Sequence, residues 1–251
     1  MYQQERMDEI VKILKENHYV TVNYLVDRIK YSPASIRRDL TLLEKQGIVT
    51  RSYGGVSYKD TAATPFKFRQ HFMKTAKNAI AKKAASLVKD GNIVFLDGSS
   101  TTQYMGKYLV EKKGITVITS NMLLAGFLGD HGIKTFCTGG SVEEAPHILG
   151  GPIMLDTLMK FKVDIAFFSS SAINQQGEIL TMWEGGAQYY QTYRRCAIRL
   201  AYLCGSEKLE IEAKYVSLTL SDVDYLITDA HLPDSLKEKY KSTVYLYTSQ
   251  T

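Results

Sequence analysis

The sequence predicts an α/β protein in two parts, a small helical N-terminal domain followed by a larger domain built around a mainly parallel sheet. Three observations carry this reading. Apolar residues recur at helical spacing through residues 7–43, the stretch around 59–73 loses periodicity, and from Lys74 onward short β-rich runs alternate with segments that can be helical.

In MYQQERMDEIVKILKENHYV, residues Met7, Ile10, Val11 and Leu14 fall at i, i+3, i+4 and i+7, one apolar stripe of a first helix. Thr21 offers an N-cap for VNYLVDRI, where Val22, Leu25, Val26 and Ile29 repeat the stripe. Ser32 followed by Pro33 starts a third helix, because the serine oxygen can accept an orphan amide and proline has no amide to satisfy there. Ile36, Leu40 and Leu43 make its apolar stripe, and Gly47 supplies a residue able to turn left-handed and end it. IVTRSYGGVSY then reads as two β runs around Gly54 and Gly55. Helix, helix, helix and hairpin is the order of a winged helix-turn-helix, here residues 1–58.

KDTAATPFKFRQHFM, residues 59–73, has no clear period, contains Pro65, and is expected to be a linker. Over 74–251 the runs NIVFLD, GITVITS, IKTFCT, VDIAFFS, IRLAYLC, VDYLIT and STVYLY alternate with helical stretches. Such alternation means βαβ units and a largely parallel sheet covered on both faces.

A chain of 251 residues with 45% hydrophobic content can bury a substantial core, and a net charge of +5 permits a nucleic-acid partner without requiring one. Cys137, Cys196 and Cys204 are an odd set without close metal spacing, and the five histidines do not pair at ligand intervals. Neither a disulfide framework, a metal site nor a cofactor is expected. Glu5, Arg6, Asp8 and Glu9 precede any apolar run and no apolar stretch approaches bilayer length, so the expectation is a cytoplasmic protein with no membrane partner.

The third helix carries the first candidate site. With Ile36, Leu40 and Leu43 turned inward, Ala34, Arg38 and Thr41 face outward and Ser35 and Arg37 lie on the flanks. The second helix of a helix-turn-helix sets its first residues against base edges in the major groove; small Ala34 and Ser35 permit close approach, and the guanidiniums reach phosphate or guanine. As a bare pattern, a solvated face with Arg37 and Arg38 paired to Asp39 or Glu44 is the commoner account of such residues, and the context reverses it. The short preceding helix, the Ser32–Pro33 start, and the following hairpin with Arg51 and Tyr53 join them into one surface for double-stranded DNA. Because a single such unit buries little surface, a homo-oligomer reading paired half-sites is expected.

The second candidate site lies in NIVFLDGSSTTQYMGKYL. Asp97, Gly98, Ser99, Ser100, Thr101 and Thr102 follow a strand and open a helix, forming either a phosphate cradle or an ordinary βα turn. Ser120 and Asn121 in TSN, and Gly139 and Gly140 in TGG, sit at two further strand ends. Asp97 either orients ligand hydroxyls or caps the loop.

VTVNYLVDRIKYSPASIRRDLTLLEKQGIVTRSYGGV, with SIRRDL and LEKQGIVTRSYGG at its heart, closely resembles the DNA-binding segment of the DeoR family of bacterial transcriptional regulators. The resemblance continues through PFKFR, KNAIAKKAASLVKDGNIVFLDGSSTT and GITVITSN. It implies a sensor domain resembling sugar-phosphate isomerases in fold, and a phosphorylated sugar or related effector that alters affinity for operator DNA. The implied function is a sequence-specific regulator, a repressor of carbohydrate metabolism genes rather than an enzyme.

Three stretches depart from the family pattern. FFSSSAIN places Ser169, Ser170 and Ser171 where glycines are usual; WEGGAQYYQTYRR lacks the usual acidic and basic residues of its first turns; and CGSEKLE displaces Lys208 by one position. Glu184 accepts a sugar hydroxyl or caps its helix, Lys208 binds phosphate or is a surface lysine, and the lone Trp183 packs in a core, at a subunit contact or on a ligand. These departures keep two alternatives open: an isomerase-like enzyme, with Asp97 and Glu184 as the available bases, and a DNA-binding scaffold whose α/β domain no longer senses a metabolite.

Overall fold

The apolar stripes of the first three helices close on one another. α1 (Gln3–Asn17) buries Met7, Ile10, Val11, Ile13 and Leu14; α2 (Val22–Ile29) buries Leu25 and Ile29; α3 (Pro33–Lys45) buries Ile36, Leu40 and Leu43. The structure, a computed structural model, describes residues 2–17, 19–52, 55–58, 66–143, 147–209 and 213–248. It divides into two units, Met1–Lys74 and Thr75–Thr251.

The caps read from the sequence form at the starts of α2 and α3 and at the end of α3. Thr21 Oγ1 accepts from the Tyr24 amide at 3.1 Å, and Ser32 Oγ from the Ser35 amide at 3.2 Å. Gly47 has φ +73°; its amide donates to the Glu44 carbonyl and the Ile48 amide to the Leu43 carbonyl, both at 2.9 Å, the paired bonds of a Schellman ending. β1 (Tyr19–Thr21), β2 (Val49–Ser52) and β3 (Gly55–Tyr58) form an antiparallel sheet in the order β1-β3-β2. β1 is an addition to the expected hairpin. Three residues are too few to show an alternating pattern, and the strand exists because Val20 pairs with Val56 and both are buried. Tyr53 and Gly54, at the turn between β2 and β3, lie outside the described residues.

Of the stretch expected as a linker, 59–65 with Pro65 lies outside the described residues. The remainder has definite structure: α4 (Phe66–Arg69) is a helical turn, Phe72 joins the core of the first unit, and the Met73 amide donates to Asp8 Oδ2 of α1 at 3.2 Å. Met73 itself has φ 53°, a left-handed conformation rare outside glycine.

In the second unit the chain runs through α5 (Lys74–Ala85), β4 (Ile93–Leu96), α6 (Gly106–Leu109), β5 (Thr116–Thr119), α7 (Met122–Asp130), β6 (Lys134–Cys137) and the short pair β7 (Ser141–Val142) and β8 (Leu149–Gly150). It continues through α8 (Gly151–Leu158), β9 (Val163–Phe168), β10 (Ala172–Ile173), β11 (Glu178–Thr181), α9 (Gly186–Cys196), β12 (Ala197–Cys204), β13 (Tyr215–Thr219), β14 (Tyr225–Thr228), α10 (Asp234–Lys239) and β15 (Val244–Tyr247). The seven β-rich runs of the sequence become one parallel sheet, ordered β15-β14-β12-β9-β4-β5-β6.

Both faces of that sheet are covered. Val94 and Leu96 pack with Ile80, Ala84, Leu109 and Leu128 on one side, while Phe95 packs with Leu158, Tyr193 and Leu236 on the other. The chain enters at β4, moves outward to β5 and β6, then returns to place β9 on the opposite side of β4. Strand order therefore reverses between β4 and β9, and a crevice at the carboxyl ends of these two strands follows from the topology.

Candidate functional site

Packing of the α3 stripe leaves Ser32, Ala34, Arg37 and Arg38 exposed and Ser35 and Thr41 half-buried. Ser32 Oγ is engaged as the helix cap and also pairs with Ser35 Oγ at 2.9 Å. Arg51, exposed on β2, donates to Thr41 Oγ1 at 3.2 Å and lies 3.9 Å from Glu44, so the second strand is tied to α3. Six of the eight expected DNA contacts thus lie on or cap α3, Arg51 joins them from β2, and Tyr53 lies outside the described residues.

The counter-ions weighed for these arginines have other partners. Asp39 is fully buried and accepts from Arg6 Nε at 2.5 Å, Arg6 Nη2 at 3.1 Å and Gln3 Nε2 at 3.0 Å, all from α1. The Asp39 hydrogen bonds raise the Arg6 guanidinium above its ordinary range, against the opposing effect of burial. Glu44 faces Arg51. Among the described residues no ion pair involves Arg37 or Arg38.

In the second unit, the expected site residues Asp97–Thr102, Ser120, Asn121, Gly139 and Gly140 follow the neighbouring strands β4, β5 and β6 at one end of the sheet. Asp97 is a hub of the loop. Its Oδ1 accepts from the Ser99 amide at 3.0 Å and Thr102 Oγ1 at 2.7 Å, and its Oδ2 accepts from the Ser169 amide at 3.0 Å across the β4–β9 reversal. Burial raises the carboxyl of Asp97, and these hydrogen bonds draw it part of the way back. These bonds cap the loop and tie it to the end of β9.

Thr102 Oγ1 also lies 3.0 Å from the Asp97 carbonyl oxygen and 2.9 Å from Ser99 Oγ. Asn121 is fully buried and caps α7, its Oδ1 accepting from the Leu123 and Leu124 amides at 3.0 and 3.1 Å. Ser120 is buried with its carbonyl on the Leu149 amide at 2.8 Å. A Cβ on Gly98 would meet Ile148 Cγ2 at 2.6 Å, so the loop there sits tight beneath the β7–β8 pair. Gly139 and Gly140, at φ +71° and +114°, turn the chain out of β6 in a conformation that needs glycine.

At the end of β9 the serines are engaged with the protein. Ser169 Oγ donates to the Leu203 carbonyl at 2.5 Å and accepts from Lys208 Nζ at 2.5 Å. Ser170 Oγ donates to the Ala172 carbonyl at 3.0 Å and pairs with Tyr202 OH at 2.7 Å. Lys208 is therefore half-buried and directed to the reversal point rather than a plain surface lysine. Glu184 is exposed ahead of α9, whose N-cap Gly185 makes no side-chain bond; helix capping, one of its two readings, is not observed. Trp183 is 44% exposed and edge-on to Tyr189 at 4.8 Å, outside the core.

Lys77 escaped the sequence reading. It is 3% exposed on α5, with Nζ donating to Ser100 Oγ at 3.1 Å, and brings an ammonium group under the hydroxyl loop. The sequence shows it as one of several lysines in KNAIAKKAA, with a partner 23 residues away.

Among the described residues no group of three or more His, Cys, Asp or Glu could hold a metal ion, and no helix is long and apolar enough to cross a membrane.

Comparison with known proteins matches residues 6–62 to the DeoR-like helix-turn-helix domain and residues 73–230 to the DeoR C terminal sensor domain. An uncharacterized HTH-type transcriptional regulator, YgbI, of Escherichia coli (strain K12) is 32% identical over 92% of this chain and 91% of its own. The HTH-type transcriptional repressor GlcR of Bacillus subtilis (strain 168) is 31% identical over 91% and 89%, and the L-fucose operon activator of Haemophilus influenzae 28% over 93% and 94%. Among solved structures, a D-ribose-5-phosphate isomerase in complex with phospho-erythronic acid has a TM-score of 0.39 at 16% identity over 54% of each chain.

Proposed function

The chain belongs to the DeoR family of transcriptional regulators, and on that premise we propose that it is a cytoplasmic, homo-oligomeric repressor of carbohydrate genes. It grips double-stranded operator DNA through α3, and a phosphorylated sugar or related metabolite in the β4–β9 crevice sets the strength of that grip. The observation that carries the reading is the disposition of charge on α3: Asp39 and Glu44 are engaged by Arg6 and Arg51, while Arg37 and Arg38 stand exposed. The likeness to GlcR favours repression.

The crevice favours an anionic, hydroxylated ligand, since Lys77 and Lys208 approach it through Ser100 and Ser169 beside a loop of four hydroxyl residues. Regulation requires differential binding; a coupling of roughly 1–3 kcal/mol changes DNA affinity about 5- to 150-fold. We propose no catalytic role. Asp97 is tied up by three donors and Glu184 is exposed without a hydrogen bond among the described residues, so neither is held as a base.

The test is the affinity of purified protein for its own upstream DNA at fixed salt, with and without a panel of phosphorylated sugars and polyols. Tight binding shifted by one compound is expected. Tight binding that no compound shifts would favour the scaffold reading, which has one observation behind it: the Ser169 and Ser170 hydroxyls are engaged with the protein itself.

A further inference from the structure

We propose that Asp39 is a positioning residue for operator recognition, its buried pairing with Arg6 fixing the roll of α3 and hence where Arg37 and Arg38 point. The inference rests on the DNA-binding reading above and assigns a role to residues outside the DNA-facing surface.

Arg6 and Asp39 together gather the contacts between α1 and α3. Arg6 grips Asp39 with both Nε and Nη2, Gln3 adds a third donor to the same carboxylate, and the Arg6 guanidinium carbon stands 4.7 Å from the centroid of the Tyr31 ring. Tyr31 directly precedes the Ser32 cap. One side chain of α1 thus holds α3 both near its start and at its middle.

The apolar stripe alone is a weaker constraint. Ile36, Leu40 and Leu43 are branched aliphatic chains that tolerate small rotations against α1, whereas a two-pronged guanidinium–carboxylate contact has one geometry. A roll of about 20° moves a side-chain tip about 6 Å from the helix axis by about 2 Å. That displacement breaks a bidentate hydrogen bond to a base edge. Stability by itself does not explain the pair, because buried ion pairs replaced by well-packed apolar residues often leave a protein as stable or more so.

The experiment uses the full chain, an operator duplex selected by the wild-type protein from a random library, and a random-sequence duplex at the same salt. The double variant Arg6→Met/Asp39→Leu keeps net charge unchanged, so its affinity for random duplex should stay within about twofold and its thermal midpoint should not fall. Its operator preference should drop at least about tenfold, the loss of one well-made base contact. Wild-type preference in this folded variant overturns the proposal. Should it not fold, Arg6→Lys retains the charge and removes the two-pronged grip; a severalfold loss of preference with unchanged random-duplex affinity supports the proposal, and an unchanged ratio overturns it. A wild-type protein with no preference for any duplex would instead defeat the DNA-binding reading itself.

Discussion

α3 and the β4–β9 crevice handle polar groups in opposite ways. On α3 the carboxylates are drawn away by Arg6 and Arg51, and the two outward arginines keep their hydrogen-bonding capacity for a partner. In the crevice, Asp97, Thr102, Ser169 and Ser170 are joined to one another and to strand carbonyls. A surface that meets a large polyanion can leave its donors to solvent at little cost. A buried loop cannot, since each unsatisfied polar group there costs about 1–3 kcal/mol. On the function proposed above, the helix is ready to bind as it stands, while a ligand in the crevice would exchange bonds with the protein, and that exchange would give binding a route to altering the loop.

The sharpest way to break this contrast is Arg38→Ala. Operator affinity should fall by about 1–3 kcal/mol, roughly 5- to 150-fold, with an unchanged thermal midpoint; binding titrations at fixed salt that show no loss would remove α3 from the interface. Asp97→Asn should do the reverse, leaving α3 intact and destabilising the second unit by about 1–3 kcal/mol, because an amide nitrogen must face one of three donors. Its pH dependence has a definite sign. Burial raises the folded carboxyl above its unfolded value, so the native state takes up that proton more readily, and the wild-type advantage over Asp97→Asn should grow as pH falls through the raised value. Denaturant titrations giving a pH-independent gap would count against a buried, charged Asp97.

Gly47→Ala separates stability from recognition at α3 itself. Nothing lies within 4 Å of an added Cβ, so the cost is the left-handed backbone alone, about 1 kcal/mol by thermal unfolding, with operator affinity kept within about twofold. The smallest effect is expected for Ser169→Ala, about 0.5–1 kcal/mol, since Lys208 loses one acceptor at a half-buried position. If the crevice senses an anion, the same substitution should change the concentration of phosphorylated ligand needed to shift DNA affinity.

Local order was legible in the sequence, and distant pairing was not. Stripes, the Ser32–Pro33 start and Gly47 act within one or two turns, and all appear where their chemistry places them. The seven main strands announced themselves by long β-rich runs, while β1, β7 and β10, two or three residues each, carry no period of their own. The partners that give the sites their character lie far along the chain: Arg6 is 33 residues from Asp39, Lys77 is 23 from Ser100, and Lys208 is 39 from Ser169. Charge beside charge in the sequence suggested Asp39 as the counter-ion of Arg38, and helical geometry sent it to the opposite face.

The way the chain leaves its first unit sets a rule for recombining such proteins. Phe72 packs among the residues of that core, and the Met73 amide is held by Asp8 in a left-handed turn. A hybrid regulator joined at residue 58 would strip an aromatic ring from beneath its own helices and take the Met73 amide away from the Asp8 carboxylate on α1. Joined after Lys74, the same graft carries its floor with it, so the interchangeable module is longer than the helix-turn-helix and its hairpin.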